Sequence, residues 1–304
     1  MPPLDDLFSL SATTDLRRRR TTAIHRVLGT NAPASTPLSY ALAHHWLEGA
    51  EAAARSADGT LLAWYRHATA SDTARLRADP GDKIPIVVNP KPEQLRRSAL
   101  AATPYYVINP ETTPASPPAL EQVRNGLVAA VSAGFGTLLR DHAPIICLLE
   151  RKTLHDTLLS WTITRLPGTV FTDYTNHPIV LARDLIHEAG HNWLNDALVA
   201  CNVTIPDDRH FYSPWRATER PAFGFLHACW AFPLTVLYAA RVASTVPAEV
   251  RDFLTAHLRL QAEQFAQARD SFQTAITLVD HDELRRRMTE IFATAVSITA
   301  AQPT

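Results

Sequence analysis

The chain has 304 residues, enough for one large domain or two ordinary ones. Hydrophobic residues at 46% and charged residues at 19% are the balance of a folded globular protein and exclude global disorder. A formal net charge of -1 gives no general attraction for nucleic acid or an anionic membrane, so neither is an expected partner and recognition must rest on a local surface.

The opening Met1-Pro2-Pro3-Leu4-Asp5-Asp6 is acidic and lacks a basic segment leading into an apolar run, so no secretory signal is expected and the cytoplasm is the expected location. From Leu4 to about Pro80 apolar residues recur every three or four positions, which predicts helices broken near Asn31 to Pro37. Within this stretch Arg17-Arg18-Arg19-Arg20 reads as a solvated helix face, with docking of an acidic peptide segment as the alternative. His44 and His45 are adjacent, so on a helix they point about 100° apart and cannot share one ion well; surface or core histidines are expected.

Between Pro80 and Pro118 prolines are dense, and Ile84 to Val88 and Tyr105 to Ile108 predict strands or extended connections. A helix is expected from about Leu120 to Leu139, then a strand from Ala143 to Leu149. Turn residues in Leu166-Pro167-Gly168 lead into a β-branched run to Thr172. A helix follows from Ala182 to Leu198, and after a loop through Pro206-Asp207-Asp208 the remainder to about Thr299 predicts several helices. The most apolar of these, Phe223 to Val242, is interrupted by His227, Pro233 and Arg241 and reads as a buried helix rather than a membrane span. Cys147, Cys201 and Cys229 stand apart from one another, which argues against a disulfide framework or a cysteine zinc site and leaves three small buried hydrophobes. The expected class is α+β and mostly helical, with a helical N-terminal region 1–100 and a catalytic region 101–304 carrying a small sheet, or one continuous domain 1–304.

The chemistry concentrates in His187-Glu188-Ala189-Gly190-His191. Histidines four apart project from one helix face a turn apart and can chelate one ion, and Glu188 then stands beside it as general base or as an orienting carboxylate. Leu181, Leu185, Ile186, Trp193, Leu194 and Leu198 flank the motif, and burying two imidazoles and a carboxylate among them is unfavourable unless they bind something. A third ligand is needed downstream. His210 lies in a polar loop, Glu219 would complete a two-histidine, one-carboxylate set but is surrounded by Arg216, Thr218 and Arg220, and His227 sits in an apolar run where an unpaired imidazole needs a reason.

Tyr212-Ser213-Pro214-Trp215-Arg216, Arg220-Pro221 and Gly224-Phe225-Leu226-His227-Ala228-Cys229-Trp230-Ala231-Phe232, following that helix, resemble the HExxH-type peptide β-hydroxylases of ribosomal peptide natural-product clusters. The match runs from about Leu166 to Phe232. The resemblance implies a zincin-like catalytic region, iron(II) and 2-oxoglutarate as cofactors, and hydroxylation of the β-carbon of a residue in a precursor peptide, the expected partner. It implies His187, His191 and His227 as metal ligands. Members often carry Asp-Pro where this chain has Thr218-Glu219, which counts against Glu219 as a ligand. A 2-oxoglutarate enzyme needs a cation for the distal carboxylate, and Arg216 and Arg220 fall in the right part of the chain; Tyr212 could donate to the same anion, or be a buried tyrosine with a satisfied hydroxyl. In zincin proteases the segment corresponding to Gly168–Thr172 is an edge strand that pairs with substrate backbone, so that role is expected here too.

Two other readings stand beside this one. The motif by itself most often marks a zinc metallopeptidase with Glu188 as base, although neither the metzincin extension nor a helical glutamate partner follows His191. A metal-free subunit that presents a peptide to a partner enzyme is the third.

Overall fold

A computed structural model of the protein describes residues 4–77, 85–98 and 101–301. Met1 to Pro3, Pro80 and Ile84, which enter the sequence reading above, lie outside the described residues.

Four helices come first: α1 (Asp5–Phe8), α2 (Ser11–Leu28), α3 (Pro37–Arg55) and α4 (Gly59–His67). The expected break falls between α2 and α3, where Thr36 accepts a hydrogen bond from the Ser39 amide and Pro37 supplies a first helical residue that needs no donor. Three short strands follow, β1 (Ile86–Val88), β2 (Arg96–Ser98) and β3 (Ala101–Tyr105); Tyr106 to Ile108 are buried but belong to no strand. The helix expected from Leu120 to Leu139 is two, α5 (Pro117–Ser132) and α6 (Gly136–His142), separated by a turn at Gly134. Next are β4 (Ile145–Arg151), β5 (Ser160–Trp161), β6 (Thr169–Tyr174) and the long α7 (Pro178–Ala200). The stretch after Asp208 is not wholly helical: a hairpin of β7 (His210–Ser213) and β8 (Thr218–Pro221) precedes α8 (Ala222–Val242), α9 (Ala248–Ala275) and α10 (Asp282–Ala300). The chain is α+β and mostly helical.

The main sheet has the order β1-β4-β6-β5, with β1, β4 and β6 parallel and β5 antiparallel to β6. Within the segment 168–172 the outer strand β5 covers β6 at Phe171 and Thr172, which are therefore not an edge, whereas Thr169 and Val170 pair with β4 alone. The strands are buried on both faces and alternate between two cores. Val87, Ile146, Leu148 and Val170 face a core built with α5 to α10, whereas Ile86, Val88, Ile145, Cys147 and Phe171 face one built with α2 to α4. Since β1 pairs with β4, the sheet draws strands from both sides of residue 100.

Helix α7 is held from several directions. Arg17 of the arginine run is not on a solvated face: its Nε lies 3.3 Å from Asp196 Oδ2, and the two side chains are only 8% and 3% exposed. Tyr40 donates to the other Asp196 oxygen at 3.0 Å, and Asn192 donates to the His142 carbonyl at 2.9 Å. His45 is a core histidine, as expected of that pair. Against α8, Gly190 provides a close approach, since a Cβ there would stand 2.7 Å from Leu234 Cδ1. Helix α8 is long and apolar enough to cross a membrane, but 83% of its apolar window is buried inside the protein. Cys147 and Cys229 are buried and Cys201 is partly exposed.

Candidate metal centre

His187, Glu188 and His191 project from the middle of α7, where the neighbouring residues Leu185, Ile186 and Ala189 are fully buried. The Nε2 atoms of His187 and His191 lie 3.2 Å apart, and one donor atom from each of the three motif residues falls within 4.8 Å of the others. His227, on α8, approaches from the far side of the His191 ring: the two Nδ1 atoms are 3.1 Å apart and the rings are nearly parallel. The tight donor trio thus contains Glu188, with His227 adjoining it through His191 Nδ1.

All three imidazoles are held neutral. Burial, followed by the nearby His191 and the Arg183 guanidinium, puts His187 well below its ordinary value. Burial, then Arg220 and Arg216, lowers His191 to about 4; burial, His191 and Arg220 lower His227 well below the usual range. A neutral imidazole exposes a lone pair, which is the form that binds a metal. His227 Nε2 and Glu188 Oε2 are, in addition, buried polar atoms without hydrogen-bond partners. Buried polar atoms are nearly always paired, so the donor set fits a borderline cation such as iron(II) or zinc.

Glu188 is 2% exposed. Its Oε1 accepts a 2.7 Å hydrogen bond from Ser160 Oγ on β5 and lies 3.9 Å from His187 Nε2. Burial pushes this carboxyl up to about 8; the Ser160 hydrogen bond opposes the rise, Asp184 adds to it and Arg216 again opposes it.

The hairpin brings cations to the same place. Phe211 and Arg220 pair across β7 and β8 and so share a face, and Phe211 stacks on Phe225 of α8 at 5.4 Å. The Arg220 guanidinium lies over Gly224, where a Cβ would stand 2.8 Å from one of its nitrogens. Burial and then Arg216 lower the Arg220 pKa, as expected for two neighbouring guanidiniums. Among the described residues neither arginine is ion-paired with a carboxylate. The hairpin tip is anchored by Trp215, which stacks on Phe232 at 5.1 Å and donates to Gln261 Oε1 at 3.0 Å; Phe232 in turn lies 4.6 Å from the His187 ring.

Other predicted site residues fall elsewhere. Tyr212 pairs with Glu219 on the opposite face of the hairpin from Arg220 and is 43% exposed, so it is neither a buried tyrosine nor a neighbour of the histidines. Alternation along the strand is the reason, since Tyr212 and Arg220 cannot share a face in this register. His210 and Glu219 are exposed and are not in the donor cluster. Ser160 was not read from the sequence, and a serine in a two-residue strand carries no local signal. The chain matches no family model and no curated protein sequence.

Proposed function

We propose that this protein hydroxylates the β-carbon of a residue in a ribosomally synthesised precursor peptide, using iron(II) and 2-oxoglutarate, in the cytoplasm. The observation that carries the reading is the pair Arg216 and Arg220, of which both act on His191 and Arg220 also on His227, and neither of which forms an ion pair with a carboxylate among the described residues. A dicarboxylate cosubstrate would offer these guanidiniums an anion that the described side chains do not pair with them.

His187, His191 and His227 would hold the metal, and the half-buried Arg220 would receive the distal carboxylate with Arg216 contributing its field. Iron(II) and 2-oxoglutarate, when bound, would supply the oxidising chemistry, in which peptide C–H, dioxygen and 2-oxoglutarate become C–OH, succinate and carbon dioxide. Phe223, 4.3 Å from His227, and Phe232 against His187 line the imidazoles with apolar surface and limit access of water. Glu188 orients groups bound beside the metal. A zinc peptidase is the second reading, favoured by the buried Glu188 carboxylate so close to His187.

Mass spectrometry of a precursor peptide encoded beside the gene, after anaerobic iron loading and addition of 2-oxoglutarate and oxygen, tests the reading. A gain of one oxygen supports the hydroxylase. A cleaved backbone supports the peptidase, and a chain that binds no metal would be a recognition subunit.

A further inference from the structure

The structure assigns Ser160 as a positioning residue for Glu188, an inference that rests on the metal-dependent reading above. Among the described residues Glu188 has one hydrogen-bond partner, the Ser160 hydroxyl at 2.7 Å, and its second oxygen has none. Cutting that tether leaves both oxygens of a buried carboxyl without a described partner, so no hydrogen bond fixes its orientation.

The tether itself is fixed on both sides. Leu159 donates its amide to Asp173 Oδ2 at 2.9 Å and accepts from the Asp173 amide at 2.8 Å. Trp161 stacks on Phe171 at 5.8 Å and 10°, and its indole donates to the Pro104 carbonyl at 2.8 Å. Ser160, between them, pairs with Thr172 of β6. The two-residue strand thus serves as a clamp that presents one hydroxyl to one carboxylate of α7. With Oε1 engaged by Ser160 and 3.9 Å from His187 Nε2, the Glu188 carboxylate sits beside the donor atoms without displacing any of them. Oε2 is left available to a group carried in by cosubstrate, water or peptide.

The test compares Ser160→Ala, Ser160→Thr, Glu188→Gln and the double variant Ser160→Ala/Glu188→Gln with the wild type. Two readouts are taken: the absorption spectrum and affinity of the protein for Co(II) alone, and kcat and KM for peptide oxidation with iron. Ser160→Ala is expected to change the Co(II) spectrum, because the carboxylate beside the metal is no longer held, and to lower kcat by about ten- to a hundredfold with little change in KM. Ser160→Thr, which keeps the hydroxyl and suits a strand, should restore both to within a few-fold of wild type. In the double variant the serine change should add little to the glutamine change, since both act through one carboxylate.

An unchanged Co(II) spectrum and kcat in Ser160→Ala, or fully additive losses in the double variant, would overturn the assignment. A wild type that binds one Co(II) but oxidises no peptide sinks the hydroxylase reading alone, and the Co(II) spectra of the serine variants still decide the role of Ser160. A wild type that binds no Co(II) overturns both.

Discussion

Gly224→Ala separates stability from anion binding in one substitution. Gly224 lies in the first turn of α8 with ordinary helical geometry, so alanine is favoured there by the backbone and adds at most about 1 kcal/mol of stability. For a chain of this size that is a rise of about 1–2 °C in Tm. The new methyl group would, however, stand 2.8, 3.0 and 3.1 Å from three atoms of the Arg220 guanidinium. A long side chain can swing aside at small energetic loss, so the fold is kept while the guanidinium moves off its seat. A hydrogen bond to a charged group contributes about 1.5–3 kcal/mol, and each 1.4 kcal/mol is a factor of about ten. The Kd for 2-oxoglutarate should therefore rise by about ten- to a hundredfold, as it should in Arg220→Ala. Calorimetric titration of 2-oxoglutarate into metal-loaded protein, beside a thermal melt, gives both numbers. An alanine variant that melts at or above the wild-type temperature and binds 2-oxoglutarate with wild-type affinity would refute the role given to Arg220.

Replacing either His187 or His191 with alanine should lower bound metal sharply by elemental analysis, and wild-type stoichiometry in both variants would remove the metal centre. Glu188→Gln keeps shape and hydrogen bonding, so a hydroxylase should retain turnover within about ten- to a hundredfold, whereas a peptidase should lose several orders of magnitude. Asp196→Ala strands the buried Arg17 and leaves the Tyr40 hydroxyl without its acceptor, and should destabilise by about 3–5 kcal/mol in urea unfolding; a loss under about 1 kcal/mol would show the pair to be dispensable. Acid should also destabilise the fold. Burial lowers His44, His45 and His257 to about 3, so each takes up a proton more readily when unfolded. Their contribution is complete above the unfolded value near 6.5 and is lost as pH falls toward the folded one, by about 1.4 kcal/mol per unit for each group. At His45 burial is joined by the neighbouring His44, and its Nδ1 accepts the Ile108 amide hydrogen at 3.1 Å. Equal stability at pH 7 and pH 5 would contradict this.

What the sequence revealed of the centre was local. His187 and His191 are one helical turn apart, so spacing alone placed them together, and the apolar flanks announced a buried helix. His227 stood out as an imidazole in an apolar run and was singled out as a ligand by resemblance, but its approach through His191 Nδ1 could not be foreseen, because it follows from how α8 crosses α7. Ser160 is 28 residues from Glu188 and Arg17 is 179 from Asp196, and no periodicity reports partners so distant. The β7–β8 hairpin was hidden by the helical character of its surroundings, although Ala217, with φ of 49°, marks a turn that its residue type does not advertise. The part of the expected edge that β5 covers, Phe171 and Thr172, has the same origin: which strand lies outermost is decided by pairing, and β5 is too short to be seen as a strand.

The crossing of α7 and α8 has a consequence for the candidate metal centre. Trp193 and Trp230 stack at 4.5 Å, Trp230 donates to the Gly190 carbonyl at 3.0 Å and Trp193 to the Phe8 carbonyl at 2.9 Å, so neither helix can slide by a residue without breaking an indole bond. Tryptophan packing therefore fixes the register of the two helices that carry the imidazoles. Unlike a zinc finger, whose binding energy is its folding energy, a core held in this way predicts a chain that folds without metal. Chelation should leave secondary structure and cooperative melting intact, and metal should raise Tm only by mass action, in proportion to the logarithm of its concentration.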